Sequence, residues 1–269
     1  MRKKILLVIF FAVAIIVALS QLPVITGIGS DQTRIDIAEA APIELSGKTL
    51  FISDLHLTAQ PALQDQFNLD FSNVENVIIV GDFFDSPDDF WSFGKTEEEV
   101  FRNVLAGIVP RTFSGNIFYI SALTHDPRGL HTTRLSFSRS EFSYVGRYGK
   151  FVVDGTPVVA YHGDQLHGGM AGGGIAWLAR MVGQEVVLEK FGKRQFSIPK
   201  DTWVINGHSH VPGIDQAAKA ANTGSFVGAP FNKFIFRVHI GTGILFSGGT
   251  VTLQEYEGLR IKNLYPFAL

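Results

Sequence analysis

The chain has no cysteine in its 269 residues. That excludes disulfides, thiolate metal sites and a lipid-modified N-terminal cysteine. It also lacks an excess of charge: 23 Lys and Arg stand against 25 Asp and Glu, for a net charge of -2. Broad electrostatic attraction to a polyanion does not follow from that balance, and nucleic acid is not expected as a partner. No internal repeat and no low-complexity tract is present, which excludes solenoids and linker-like chains. What the chain does have is apolar residues, 46% of the total with 23 Phe, against 18% charged. Apart from its N-terminal segment, it suffices for one domain of roughly 220 residues around its own core.

The N-terminus is distinctive. Arg2, Lys3 and Lys4 precede fifteen uninterrupted apolar residues, Ile5 to Leu19, and no further charge appears until Asp31. A helix that crosses the hydrocarbon core needs about 20 residues, and Ile5 to Ile25 reaches that length with Pro23 in its last turn. The basic flank stays cytoplasmic, so the rest of the chain is expected outside the membrane. A cleaved signal peptide is the alternative, because Ala18-Leu19-Ser20 resembles a small-residue cleavage site; the protein is then secreted or periplasmic. The expected organisation is an anchor or signal over 1–28, a linker over 29–47 and a single globular domain over 48–269, with a helical insertion at about 167–199.

Along the body, Lys48 to Ser53 reads as a strand, and Val74 to Val80 ends in a continuous apolar run typical of a strand buried on both faces. Thr96-Glu97-Glu98-Glu99 reads as a capping box that opens a helix with apolar residues at Val100, Phe101, Val104, Leu105 and Ile108. Asn116 to Leu123 is a third strand. Phe151 to Tyr161 is a hairpin about Asp154-Gly155, Asp201 to Asn206 a further strand, and 234–264 a set of antiparallel strands. Strand–helix alternation followed by hairpins predicts a layered α/β sandwich with a mixed sheet. His167 to Pro199 interrupts the pattern with glycines, apolar residues and Lys190, Lys193 and Arg194. It reads either as helix packed on the core or as a substrate cap with an apolar lining and a basic rim.

Five short polar clusters each follow a predicted strand: Asp54-Leu55-His56, Gly81-Asp82-Phe83-Phe84-Asp85, Thr124-His125-Asp126, His162-Gly163-Asp164 and Gly207-His208-Ser209-His210. Hard carboxylates and borderline imidazoles, delivered by loops at one edge of a sheet, suit a site for two divalent cations. Asp82 is the candidate bridge, because a carboxylate has two oxygens and a neutral imidazole offers one lone pair. Asp85 is better placed to orient a ligand than to bind metal. Arg128, His131 and Arg134 read as a solvated loop with phosphate contact as the alternative. His167 is a weaker candidate to face the site, His239 in a strand of alternating residues reads as structural, and Asp88-Asp89-Phe90-Trp91 reads as a turn with two buried aromatics, with the site's edge as the alternative.

In this order and spacing the clusters resemble the calcineurin-like metallophosphoesterase superfamily, whose run of D-x-H, G-D-x-x-D, G-N-H-D/E, G-H and G-H-x-H they match over about residues 48 to 225. Asn222-Thr223-Gly224-Ser225 is similar to the family's turn after the last ligand pair. The resemblance implies a four-layer α/β/β/α sandwich and two divalent metal ions, of Mn, Fe or Zn type. Asp54, His56, Asp82 and His210 are implied to hold one, and Asp82, His162 and His208 the other. It implies His125 as the acid at the leaving group, with Asp126 orienting it, and attack on phosphorus by a water that both cations activate. Two positions depart from the pattern: Leu123-Thr124 stands where the family has Gly-Asn, and Tyr161 where it has Gly. A Thr hydroxyl is a poorer donor than an amide oxygen, so a weaker second metal site is expected.

Ser53 to Leu57, Gly81 to Phe84 and His162 to Asp164 look most like the branch containing UDP-2,3-diacylglucosamine hydrolases. With the apolar insertion and N-terminal segment, they point to a small-molecule or lipid-linked phosphoester. A phosphodiesterase or nuclease of the same fold is the enzymatic alternative. A membrane-tethered binding protein with a degenerate metal site is the other.

Overall fold

The computed structural model describes residues 30–59, 71, 73–131, 134–164, 176, 179–180, 183–226 and 241–256. The Ile5 to Ile25 segment, His167 and His239 lie outside these residues. Among the described residues no helix is long and apolar enough to cross a membrane.

Two mixed sheets face each other. In chain order the strands are β1 (Ile43–Leu45), β2 (Thr49–Ile52), β3 (Asn76–Val80), β4 (Asn116–Ile120), β5 (Arg134–Phe137), β6 (Ser140–Gly146), β7 (Tyr148–Val153), β8 (Thr156–Tyr161), β9 (Trp203–Asn206), β10 (Gly213–Asp215), β11 (Ala220–Asn222), β12 (Thr242–Ser247) and β13 (Thr250–Glu255). The first sheet has the order β13-β12-β2-β3-β4-β6-β5, the second β1-β7-β8-β9-β11-β10. β2, β3, β4 and β6 run parallel, with Phe51 opposite Ile78 and Ile78 opposite Phe118. β8, β9 and β11 run parallel in the second sheet. Among the described residues the helices with stated bounds are α1 (Ser30–Glu39), α2 (Pro87–Ser92), α3 (Glu97–Ile108) and α4 (Val187–Gln195).

The strand period of two assigns each side chain to a layer. Phe51, Ile78, Val80, Phe118 and Ile120 point toward the second sheet, where they meet Phe151, Val158, Ala160, Trp203 and Ile205. Their sequence neighbours Leu50, Ile52, Val77, Ile79, Ile117 and Tyr119 point outward and pack on Phe90, Val100, Phe101, Val104 and Leu105 of α2 and α3. On the far side, Val159, Tyr161 and Val204 are covered by Ile37 of α1 and by Phe196 and Ile198. The four layers are therefore helix, sheet, sheet, helix, and both sheets are buried on two faces. That explains why β2 and β3 read as continuous apolar runs.

Local chemistry sets the element ends. Thr96 caps α3, its hydroxyl accepting from Glu99 N at 3.2 Å, while the Glu99 carboxylate accepts from Lys95 N at 2.9 Å. The return bond thus falls one residue earlier than in the expected box. The β7–β8 hairpin turns at Asp154 (φ 46°) and Gly155 (φ 78°), as the Asp-Gly pair demands. The stretch 29–47, read as a linker or early strand, contains α1 and β1, and β1 pairs with β7 (Ile43 with Phe151).

Of the two readings of 167–199, the described part takes the first, a helix packed on the core: α4 packs on β9 and β11. Two of its basic residues are engaged structurally: Lys190 pairs with Asp215 at 2.8 Å, and Lys193 donates to the carbonyls of Lys200, Thr202 and Ala218. They form no free basic rim. Asp88 and Asp89 lie not in a turn but in the first turn of α2, capped by Ser86, with Phe90 buried and Trp91 exposed.

Candidate metal centre

All five clusters leave the carboxyl ends of strands: Asp54 and His56 after β2, Asp82 and Asp85 after β3, His125 and Asp126 after β4, His162 after β8, His208 and His210 after β9. All five strands belong to parallel pairings, β2 with β3 and β3 with β4 in one sheet and β8 with β9 in the other, so within each sheet their carboxyl ends share an edge and the loops converge. The first two loops continue the ladder past the strands. Asp54 N donates to Gly81 O at 3.1 Å, His56 N to Asp82 O at 3.0 Å, Leu57 N to Phe83 O at 2.9 Å and Asp85 N to Leu57 O at 3.1 Å.

Five of the six expected ligands have left-handed backbone: Asp54 (φ 54°), His56 (46°), Asp82 (47°), His208 (66°) and His210 (57°). Such a conformation costs roughly 1–2 kcal/mol per non-glycine residue. Five instances in one constellation are held by their surroundings. Gly81 (φ 75°) is one reason the loops fit: a Cβ there would stand 2.4 Å from Cγ of His162. Gly207 is another, since its Cβ would stand 2.2 Å from Ser53 Oγ and 2.5 Å from Asp54 Oδ2.

The side chains meet in overlapping groups: Asp54, His56 and His210; His56, Asp82 and His125; Asp82, His162 and His208, each with ligand atoms within 4.8 Å of one another. Asp82 joins the two ends. Its Oδ2 lies 3.0 Å from His162 Nε2 and 3.6 Å from His56 Nε2, while Asp54 Oδ1 lies 3.0 Å from His210 Nε2.

Hydrogen bonds fix the imidazole tautomers. His162 Nδ1 donates to Val80 O at 2.9 Å, His56 Nδ1 to Asp85 Oδ1 at 3.1 Å and His125 Nδ1 to Asp85 O at 2.6 Å. A carbonyl only accepts, so Nδ1 carries the proton in His162 and His125, and in the neutral rings Nε2 keeps its lone pair. The His56–Asp85 contact is the carboxylate–imidazole arrangement that orients metal ligands. Asp54 Oδ1, Asp82 Oδ1, His56 Nε2 and His162 Nε2 are all buried and make no hydrogen bond. Buried polar atoms normally have a partner; here carboxylate oxygens and imidazole lone pairs face one another, the donor set a divalent cation would satisfy. The residues present therefore fit two such ions.

Charge agrees. Burial pushes the Asp82 carboxyl up, but His162 outweighs it and holds the group below its ordinary value. Asp54 is likewise pushed up by burial and held well below the carboxylate range by His210 and His162. His162 stays well above the usual imidazole value despite burial, because Asp82 and Asp54 flank it. His125 is raised too: Asp82 and the bond to Asp85 O outweigh its desolvation.

Two roles differ from the sequence reading, those of Asp126 and Thr124. Asp126 does not orient His125. Its Oδ1 accepts from Phe83 N at 3.0 Å and Phe84 N at 3.2 Å, and its Oδ2 from Ala122 N at 2.7 Å, so it ties the second loop to the third. Asp85 supports His125 instead, through its carbonyl. Thr124 is bonded to Asp164, whose Oδ2 accepts from Leu123 N (2.5 Å), Thr124 N (3.2 Å) and Thr124 Oγ1 (3.3 Å). The support residues Ser53, Asp164, Glu189 and Thr223 were not legible as functional. Ser53 Oγ donates to Asp54 Oδ2, and a hydrogen bond of 2.5 Å joins it to Thr223 Oγ1. Away from the centre, His131 N donates to Glu97 Oε2 at 2.8 Å, which ties that loop to α3.

No protein-family model matches the chain, and no curated protein matches it. Among solved structures it is similar to a conserved uncharacterised protein of Streptococcus pneumoniae described as a predicted phosphoesterase: 12% identity, 79% of this chain and 94% of that one, TM-score 0.38. It is also similar to a single-mutant Vps29 of Entamoeba histolytica, with 13% identity, 78% and 98% coverage and TM-score 0.35. Vacuolar protein sorting 29 of Cryptosporidium parvum matches with 14% identity, 80% and 98% coverage and TM-score 0.37. The functional reading that follows rests on the side-chain geometry.

Proposed function

We propose that this protein is a metal-dependent phosphoesterase of the calcineurin-like kind. The observation that carries the reading is the junction at Asp82, whose carboxylate faces His162 on one side and His56 on the other, where Asp54 Oδ1, Asp82 Oδ1, His56 Nε2 and His162 Nε2 are buried without a hydrogen bond. Asp54, His56, Asp82 and His210 would hold one divalent cation, and Asp82, His162 and His208 the second. Bound there, the cations would lower the pKa of water and neutralise phosphoryl oxygens.

The chain's own residues supply the rest. His125 presents Nε2 toward the centre, because its Nδ1 proton is committed to Asp85 O. A proton on Nε2 can be delivered to the departing oxygen of an ester. Asp126, bonded to three backbone amides, holds the His125 loop against the Asp82 loop and fixes the distance between acid and metal ligands.

For substrate we propose a lipid-linked or amphipathic phosphomonoester or pyrophosphate. Its support is the likeness of Ser53 to Leu57 and His162 to Asp164 to the diacylglucosamine hydrolase branch, together with the apolar segment Ile5 to Ile25. That segment would hold the catalytic domain at the outer membrane face. The test is to load the metal-free protein with Mn²⁺ and assay p-nitrophenyl phosphate, its bis-ester and a lipid pyrophosphate. Two bound ions and turnover of at least one ester are expected. Two bound ions with no turnover would favour a binding protein.

A further inference from the structure

We propose that Glu189 is a positioning residue for the metal-binding loop, acting through Asn222. The inference rests on the metal-site reading above and adds to it a residue from α4, outside every cluster described so far.

Glu189 is 2% exposed. An interior carboxylate needs a reason to be there, because burial without partners is costly. Its Oε1 accepts from Asn222 Nδ2 at 2.6 Å, and the same amide nitrogen donates to Gly207 O at 2.8 Å. Asn222 Oδ1 accepts from Gly224 N at 2.9 Å, so the amide cannot flip without losing all three bonds. Asn222 sits at the end of β11, in register with Asn206 at the end of β9. Gly207 follows Asn206, and its N donates to His162 O at 3.1 Å. The peptide that launches His208 is thus gripped on its amide side by the fourth cluster and on its carbonyl side by Asn222.

That grip matters because the next residues are strained. His208 and His210 both have left-handed backbone, with Ser209 between them. His208 N donates to Asp54 Oδ2 at 3.0 Å, which ends the path at a metal ligand. The path runs from α4 through Asn222 and Gly207 to His208 in three direct contacts. Glu189 also lies in the first turn of α4, where the helix dipole favours a carboxylate. An apolar residue would fill the same space. Only an acceptor supplies the third of the bonds that hold the Asn222 amide.

The test is a Mn²⁺ titration of metal-free full-length protein, with calorimetry for affinity and electron paramagnetic resonance for the spin-coupled pair. Removal of a partner that orients a ligand typically costs 10–100-fold in metal affinity, so Glu189→Ala should weaken the site at Asp82, His162 and His208 by at least ~10-fold. It should also lose the coupled signal. Glu189→Gln keeps an amide oxygen toward Asn222 and should bind within roughly threefold of wild type, an energy below one neutral hydrogen bond. Glu189→Met fills the space without an acceptor: a role in packing alone would leave it near wild type, which overturns the inference, whereas the positioning role makes it as weak as Ala. If Glu189→Ala does not fold, Asn222→Asp carries the test, because it turns the donor into a carboxylate facing Glu189 and Gly207 O. It should weaken the same site by at least ~10-fold. Metal binding in these variants equal to wild type, or Gln as weak as Ala, overturns the inference while the metal reading stands. Wild-type protein that binds no Mn²⁺ overturns both.

Discussion

The hydroxyl of Thr124 donates to the carboxylate of Asp164 across 3.3 Å, and the same oxygen also holds the Thr124 and Leu123 amides. The loop that presents His125 is therefore moored to the loop that presents His162. A hydroxyl–carboxylate bond of that length lies at the weak end of the range and contributes about 0.5 kcal/mol, roughly a twofold effect. Thr124→Ala should leave both metal affinities near wild type. Asp164→Ala removes the acceptor for two amides and should cost about 1–3 kcal/mol of stability. Calorimetric metal titration and urea denaturation check the pair. Loss of one metal equivalent in Thr124→Ala would show that the hydroxyl ligates directly.

Asp82 is the group that both halves of the centre share. Asn keeps its shape and one oxygen but removes the negative charge that faces His56 and His162. Changing an orienting partner already costs 10–100-fold, so loss of the shared ligand should lower kcat/KM by at least ~100-fold. Assay of Asp82→Asn with saturating Mn²⁺ measures it. Activity within a few-fold of wild type would mean that the centre does not depend on a bridge.

His125 as the acid predicts a dependence on the leaving group. An alkyl oxygen must be protonated as it departs, whereas p-nitrophenolate leaves unaided. His125→Asn should cost ~10²–10⁴ in kcat on an alkyl phosphate and much less on p-nitrophenyl phosphate. Equal losses on both substrates would point instead to a ligand role, which its grouping with His56 and Asp82 also permits.

The ligand clusters were legible because each couples a chemical type to a strand end, and because buried parallel strands announce themselves as apolar runs. Asp85, read as an orienting residue from its position one turn after Asp82, bonds His56. The bonds of Asp126 left no such signal, because both of its oxygens are spent on backbone amides that only the folded loops bring near. Glu189 and Asn222 meet across 33 positions, and Ser53 and Thr223 across 170. Contacts of that range leave no local period or spacing in the sequence. α1 was missed for a related reason: its residues show no apolar face, and Ile37 finds its place only against β8 and β9.

α4 meets its neighbours through two carboxylates whose pH responses run in opposite directions. Asp215 lies below its ordinary value of 3.8 because it accepts from Lys190 at 2.8 Å and from Ala218 N at 2.9 Å. A depressed acid stabilises the fold above its unfolded pKa, and that contribution is lost as pH falls through the lowered value. Glu189 is the reverse: burial raises it above 4.5, outweighing the bond from Asn222. Its contribution is present below the unfolded value and is lost as pH rises through the raised one. Asp215→Asn should therefore cost about 0.2–1 kcal/mol at neutral pH, as expected for a pair near the surface. The gap to wild type should close only below the ordinary carboxylate range. Glu189→Gln should instead gain on wild type as pH climbs from 4.5 toward neutrality, since Gln has no proton to lose. Urea midpoints of the metal-free proteins across that range decide it. A Glu189→Gln curve parallel to wild type would mean that Glu189 titrates alike in the folded and unfolded chains.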